Sequence, residues 1–559
     1  MKFKDIPYHR PDLAGVADQL RSLIEGIRGA KSYKELRDLY VAFDASQGET
    51  DDMITIAHIR NTINTADPFY EEEMRYINGE MPRLALLEKE AGEALLASPF
   101  AEDFSREFGD IMMKNIQAQQ RLSNESVVED KVRESELQQQ YSKVSAGCTT
   151  VFRGETCNFY GLLKHMQSTD RAERKEAFEA WADLYESVSG KLDAIYDEMI
   201  EVRCRMAEKL GFKNYTEMAY LQRHRFDYNA EDVANFRRQV REVIVPACQK
   251  LYERQRQNLG IDTLYYYDES LVYPEGNAIP QGSRDELVAA AQKMYRELSP
   301  ETGEFFDKMV EDEMFDLETK PGKRGGGYCT SLAGRKMPFI FSNFNGTSAD
   351  VDVLTHEAGH AFAFYTSCRT QPLSGLTHTT SEIAEIHSMS MEHWTYPWMK
   401  YFFGDATEKY LYAHLSSALM TVPYLVSVDE FQHRVFENPT MSAAERRAVW
   451  HEIETIYLPW RNYDGNKFLE EGGFWMQKQH VFLYPFYYVD YALAQMGAFE
   501  FYGRMKNDRE NAWKDYYKLC QTGGSKGYFD TLKLANLSCP LKEGAVAKAV
   551  AGVLDELKV

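Results

Sequence analysis

The reading of this chain turns on one stretch, Thr347-Ser-Ala-Asp350-Val-Asp-Val-Leu-Thr-His356-Glu357-Ala-Gly359-His360. Thr347 and Asp350 stand three apart, the spacing of a capping box, so a helix is predicted to start here. Val351, Leu354, Ala358 and Phe362 supply its apolar stripe. On such a helix His356 and His360 are one turn apart and face the same way, so their imidazoles can share one cation; an i, i+2 pair could not. Glu357 is turned by about 100° from His356. That puts its carboxylate beside a shared cation, where it can take a proton from an activated water. The arrangement is the HExxH pattern of zinc hydrolases. Gly359 in the helix interior costs about 1 kcal/mol relative to Ala, a loss that is tolerable where something must approach the backbone closely.

A hydrolytic zinc site needs a third protein ligand and leaves a fourth position for water. Downstream, Ser381-Glu382-Ile-Ala-Glu385-Ile-His387-Ser-Met-Ser-Met-Glu392-His393-Trp394 has helical spacing. Glu382, Glu385 and Glu392 fall on one face, and Ile383, Ile386 and Met389 on another. Position alone leaves Glu382, Glu385, Glu392 and His387 all open as the third ligand. Upstream, Lys336–Phe344 (KMPFIFSNF) alternates aromatics between Gly325-Gly326-Gly327 and Asn345-Gly346-Thr347, the pattern of a short strand. Further on lies His480-Val-Phe-Leu-Tyr484-Pro485-Phe-Tyr487-Tyr488-Val-Asp-Tyr491-Ala-Leu-Ala-Gln495. Pro485 is predicted in the first turn of a helix. Tyr488, Tyr491 and Gln495 then share one face, with His480 and Tyr484 on the loop before it.

Most of the remaining sequence has helical period. Leu13, Val16, Leu20, Leu23, Ile24 and Ile27 recur three or four apart. Residues 165–211 read as two long amphipathic helices ending near Gly211. The expected class is mainly α with one small β element. No repeat or low-complexity linker marks a boundary, so one continuous fold over 1–559 is expected. Thr522-Gly523-Gly524-Ser525-Lys526-Gly527-Tyr528 lacks the order of a phosphate-binding loop and is read as a plain loop.

Composition excludes several classes. A chain of 559 residues can bury enough apolar surface to fold without staples. Sixty-four Lys+Arg against 86 Asp+Glu give a net charge of −22, which argues against a nucleic-acid or anionic-membrane partner. No secretory leader is recognised, and no run of about eighteen apolar residues is seen. The eight cysteines are scattered without CxxC, as expected of free thiols in a reducing, cytoplasmic setting.

His356-Glu357-Ala-Gly359-His360, followed by Glu385, Glu392 and Trp394, resembles the thimet oligopeptidase/oligoendopeptidase F family, and more closely its bacterial oligoendopeptidase F, Pz-peptidase-like branch. The resemblance covers nearly the whole chain but is specific only from about Tyr328 to Gln495. It implies an ellipsoidal, multi-helix zincin-type peptidase with a deep central channel, one Zn2+ per chain, and a monomer or small homo-oligomer. The catalytic core would occupy about residues 325–500, with about 1–200 forming part of the channel wall. By the same resemblance His356, His360 and Glu385 hold the zinc, Glu357 is the general base, and Glu392 orients a zinc-bound histidine. Tyr491 and His480 then donate hydrogen bonds to the developing oxyanion, with Tyr484 and Tyr488 nearby. The strand containing Phe341, Ser342, Asn343 and Gly346 is similar to the family's substrate-side strand, which as an edge strand would pair with extended peptide. Many relatives carry another His where Ala363 stands here; it is not a metal ligand in the family. The spacing between His480 and the tyrosines departs from the thimet pattern by about one residue. The implied activity is hydrolysis of internal bonds in short unfolded peptides. Rival readings are a zinc exopeptidase or a peptide-binding protein with a structural metal.

Overall fold

The computed structural model describes residues 1–559 and is mainly helical, with two small sheets. It forms two compact units. One comprises Met1–Gln120, Ala278–Glu408 and Gly497–Ser538; the other comprises Arg121–Asn277, Lys409–Met496 and Cys539–Val559. Three of the crossings between units fall inside helices, Asp110–Leu122, Thr407–Glu437 and Tyr488–Asn507. No linker composition therefore marks them.

Seven helices are numbered here in chain order: α1 (Gly48–Ile63), α2 (Tyr215–Gln222), α3 (Ala349–Thr370), α4 (Ser381–Trp394), α5 (Thr407–Glu437), α6 (Tyr488–Asn507) and α7 (Arg509–Thr522). The strands are β1 (Thr150–Phe152) and β2 (Glu155–Cys157), a hairpin, and β3 (Phe315–Glu318), β4 (Tyr328–Leu332) and β5 (Met337–Phe344).

In the first unit, the helix Leu13–Gly29 starts where the Asp12 carboxylate accepts the Gly15 N–H. Its Leu13, Leu20, Ile24 and Ile27 are buried against Leu84, Leu87, Ala91 and Leu95. Val16 and Leu23 are only partly covered, because they flank that stripe. In the second unit, residues 171–209 form one 39-residue helix rather than two. Gly190 does not break it: the buried stripe runs on from Trp181 and Tyr185 to Leu192, Tyr196 and Met199, and that packing outweighs the roughly 1 kcal/mol propensity loss. The chain does turn where expected, at Gly211, with φ +75°. One helix, within Lys400–Glu437, is by length and composition able to cross a membrane, although no unbroken run of about eighteen apolar residues marks it. Here Leu415, Leu419, Val422, Val426 and Phe431 of α5 are buried in the core of the second unit.

The three-stranded sheet has the order β3-β5-β4. β5 is therefore central, parallel to β3 and antiparallel to β4. The expectation that it is the edge fails because Phe315–Glu318, a stretch with no strong strand pattern of its own, pairs along its far side. The edges are β3 and β4, and in β4 residues 328–331 are all partly accessible. The start of α3 also differs in detail. Its N-cap, Ser348, makes no side-chain cap, and Asp350 reaches back to accept the N–H groups of Asn345 (2.9 Å) and Gly346 (2.8 Å). That carboxylate fixes the β5–α3 turn, where Gly346 has φ +86°.

Candidate active site

In the first unit α3 and α4 pack so closely that a Cβ at Gly359 would lie 2.6 Å from Ser388 Cα and 2.7 Å from the His387 carbonyl oxygen. The bare glycine lets the two helices touch. That contact brings a carboxylate from α4 onto the imidazoles of α3. Glu385 Oε2 lies 3.3 Å from His356 Nε2 and 3.5 Å from His360 Nε2, and the three ligand atoms lie within 4.8 Å of one another. A tetrahedral zinc with bonds of about 2.0–2.1 Å separates its ligands by roughly 3.3–3.5 Å. Two neutral imidazoles and one carboxylate are also the donor set of a hydrolytic zinc site, so the residues fit the ion.

The neighbours of the ligands set their orientation. His356 Nδ1 meets Glu392 Oε1 at 2.6 Å, which leaves Nε2 free to face an ion. Ser388 Oγ donates to Glu385 Oε2 at 3.0 Å. Among the rivals for third ligand, Glu382 is buried but stands outside this cluster, and Glu392 is the partner of His356. His387 is buried, its carbonyl accepting the Tyr516 hydroxyl of α7 at 2.8 Å. The loop before α4 is held by Gly523-Gly524: Gly524 N–H donates to Leu376 O, and a Cβ on Gly524 would lie 1.9 Å from His378 O.

Electrostatics agree with a cation site. Burial favours a neutral His356, but Glu385 and Glu392 outweigh it and hold the ring's pKa well above the usual value. For Glu385, burial acts upward, yet His360 and His356 keep its carboxyl well below the ordinary range. Carboxylates that hold a proton on the ring this strongly hold a divalent ion in its place, with the proton released. Burial pushes Glu357 upward, and the two imidazoles only partly offset it. Its carboxylate accepts the backbone N–H of Cys329 on β4.

That last contact shows which way β4 faces. Ile340 N–H donates to Met314 O, on the β3 side. By alternation Phe341 and Phe339 turn their polar groups to β4, where they oppose Tyr328 and Thr330. The backbone of Cys329 and Ser331 therefore points away from β5, with the Cys329 N–H on Glu357. The four residues expected to meet substrate, three on β5 and Gly346 in the turn after it, have other partners. Phe341 is buried and stacks on Tyr328 at 4.7 Å. The Ser342 carbonyl accepts from Lys323, Asn343 Nδ2 donates to Arg324 O and Gly326 O, and the Gly346 N–H goes to Asp350.

In the second unit His480 sits among tyrosines, its ring centroid 4.7 Å from Tyr488, 5.8 Å from Tyr484, 5.9 Å from Tyr487 and 6.2 Å from Tyr491. Tyr488 is buried and Tyr484 is exposed. His480 lies in the short helix Gln479–Leu483 rather than on a loop, and Pro485 precedes a turn at Phe486 rather than opening α6. Sequence reasoning passed over Tyr487, Ser388 and the Cys329 N–H; only the first carried a signal, as part of the aromatic run.

Replacing Glu392 with Ala frees the His356 ring and is expected to weaken zinc binding by about tenfold to a hundredfold. Competition with a chelator measures this. Unchanged affinity would show that the 2.6 Å contact does not orient the ligand.

Residues 3–123 match the Peptidase M3 N-terminal domain, and residues 164–281 and 286–550 match Peptidase family M3. The oligoendopeptidase F homolog of Borreliella burgdorferi is 24% identical over 390 residues, 67% of this chain and 63% of that protein. Oligopeptidase PepF of Bacillus subtilis is 21% identical over 409 residues, 71% of this chain and 59% of that one. The chain thus spans about six-tenths of the length of the curated relatives it matches. A solved structure of Pz peptidase A with an inhibitor is 42% identical, with a TM-score of 0.94 over 100% of this chain and 99% of that one.

Proposed function

Since the chain belongs to peptidase family M3, we propose that it is a zinc-dependent oligoendopeptidase hydrolysing internal bonds of short unfolded peptides. The observation that carries the reading is the convergence of Glu385 on His356 and His360 with Glu357 beside them. His356 Nε2, His360 Nε2 and Glu385 Oε2 would hold the zinc. When bound, the ion lowers the pKa of a water and polarises the scissile carbonyl. Glu357 takes the proton of the attacking water and delivers it to the leaving amine. Its burial, which lifts its pKa, suits it to hold that proton between the two transfers.

Substrate is placed by β4. A peptide added along this edge forms main-chain hydrogen bonds with the Cys329 carbonyl and with Ser331, whatever its side chains, and Cys329 adjoins the base. Tyr491 and His480 are assigned as oxyanion donors on the family resemblance, each typically contributing about 3 kcal/mol. The setting is taken as cytoplasmic, in keeping with eight unbridged cysteines.

The test uses the purified chain and a peptide blocked at both ends, with metal content measured in parallel. Internal cleavage with one zinc per chain, abolished by chelator and restored by zinc, is the expected result. Cleavage only of peptides with a free end would replace this reading with an exopeptidase. One zinc per chain with no cleavage at all would leave a binding protein.

A further inference from the structure

The tyrosines that follow His480 are mounted on an unusual corner in the second unit. Phe486, a bulky residue, adopts the left-handed region at φ +59°, a conformation that persists only where the surroundings over-determine it. Each part of Phe486 is held. Its N–H donates to Gln432 Oε1 of α5 at 2.9 Å, and its carbonyl accepts from Arg225 Nη2 at 2.5 Å. Its ring is fully buried, packed against Tyr220, His433 and Phe436.

Arg225 also donates to Asp490 Oδ1 at 2.6 Å; the side chains of this pair are 0% and 1% exposed. Arg223 approaches the other oxygen of Asp490 at 3.3 Å, and its guanidinium lies 4.4 Å from the Tyr487 ring centroid. Both arginines come from the end of α2. His224 between them has φ +57°, and Arg225 N–H returns to Tyr220 O, which closes the helix in a Schellman turn. That turn splays the two arginines onto one carboxylate. A buried carboxylate needs such partners. Asp490 sits in the first turn of α6 between Tyr488 and Tyr491, so the grip on it fixes the start of the helix that carries them.

We propose that Arg225 and Gln432, with Arg223, are positioning residues: by clamping Phe486 and Asp490 they fix where the Tyr491 hydroxyl and its neighbours stand. This rests on the reading of Tyr491 and His480 as oxyanion donors. Nothing in the clamp touches substrate; it acts through the tyrosines.

The test uses full-length, zinc-loaded enzyme and a blocked peptide. It compares Gln432→Met, which removes the acceptor at similar volume, Arg225→Met, Tyr491→Phe, and the Gln432→Met/Tyr491→Phe pair. Alongside kcat and KM, the Ki of a phosphinic peptide is measured, because its oxygen occupies the oxyanion position. Gln432→Met is expected to lower kcat/KM about tenfold and Arg225→Met further, with KM within about twofold. The phosphinic peptide's Ki should rise in proportion, and Gln432→Met should add less than about twofold to Tyr491→Phe. A fall in kcat with unchanged Ki marks loss of active protein and overturns the proposal, as does full multiplication in the double variant. If Arg225→Met fails to fold, Gln432→Met decides. An impaired Tyr491→Phe with a normal Gln432→Met overturns the clamp alone. A fully active Tyr491→Phe overturns the donor reading and the clamp with it.

Discussion

Glu357→Gln is expected to retain zinc and lose kcat by about a thousandfold or more. The amide is nearly the same size as the carboxylate, and the ligands themselves lie one residue before and three residues after it, so the metal site should survive. What is lost is a group able to accept a proton from water and return it to the leaving amine, an effect of about 10²–10⁴ in rate. Burial raises the Glu357 carboxyl, His356 and His360 offset it only in part, and the Cys329 N–H fixes its direction; an amide keeps the direction but cannot hold the proton. Metal analysis together with kcat on a blocked peptide measures this. A zinc-replete variant with wild-type kcat would remove Glu357 from the chemistry.

The second large effect is expected at Gly359. Propensity alone predicts that Ala in a helix interior stabilises by about 1 kcal/mol. Packing predicts the opposite, because the new methyl would stand 2.6 Å from Ser388 Cα and 2.7 Å from the His387 carbonyl, both backbone atoms of α4. Forcing a methyl into such a contact costs about 1–3 kcal/mol. Relief requires α4 to move away, which carries Glu385 off the two imidazoles. Gly359→Ala should therefore lower Tm and weaken zinc binding by at least about tenfold, with activity falling in step. A rise in Tm with unchanged zinc affinity would mean that the helix contact does not set the ligand geometry.

The features legible in the sequence are those written locally. The HExxH helix and the acid-bearing helix after it follow from period alone, and Gly359 already signalled a close approach. Glu385 could not be singled out by position from Glu382 and Glu392, because the choice is made where α3 crosses α4. The place of β5 in its sheet was hidden for a similar reason: it depends on pairing with residues 315–318, far along the chain and weak in strand character. At the start of α3 the spacing of Thr347 and Asp350 was right for a cap, but the carboxylate turned back to the preceding turn instead. At Phe486 a left-handed corner is occupied by an aromatic rather than glycine, so no residue type announces it; Arg223, Arg225 and Gln432 hold it from far away in sequence.

That each unit is interrupted twice bears on how the protein is made. The first unit lacks its third segment until Gly497–Ser538 has been synthesised, and the second until the stretch beginning at Cys539 follows. Neither can close on its first two segments alone, so much of each waits, partly exposed, for its third segment to leave the ribosome. Newly made chains should accordingly lean on chaperones, and a stop codon just before Cys539 should leave the second unit without one of its three segments.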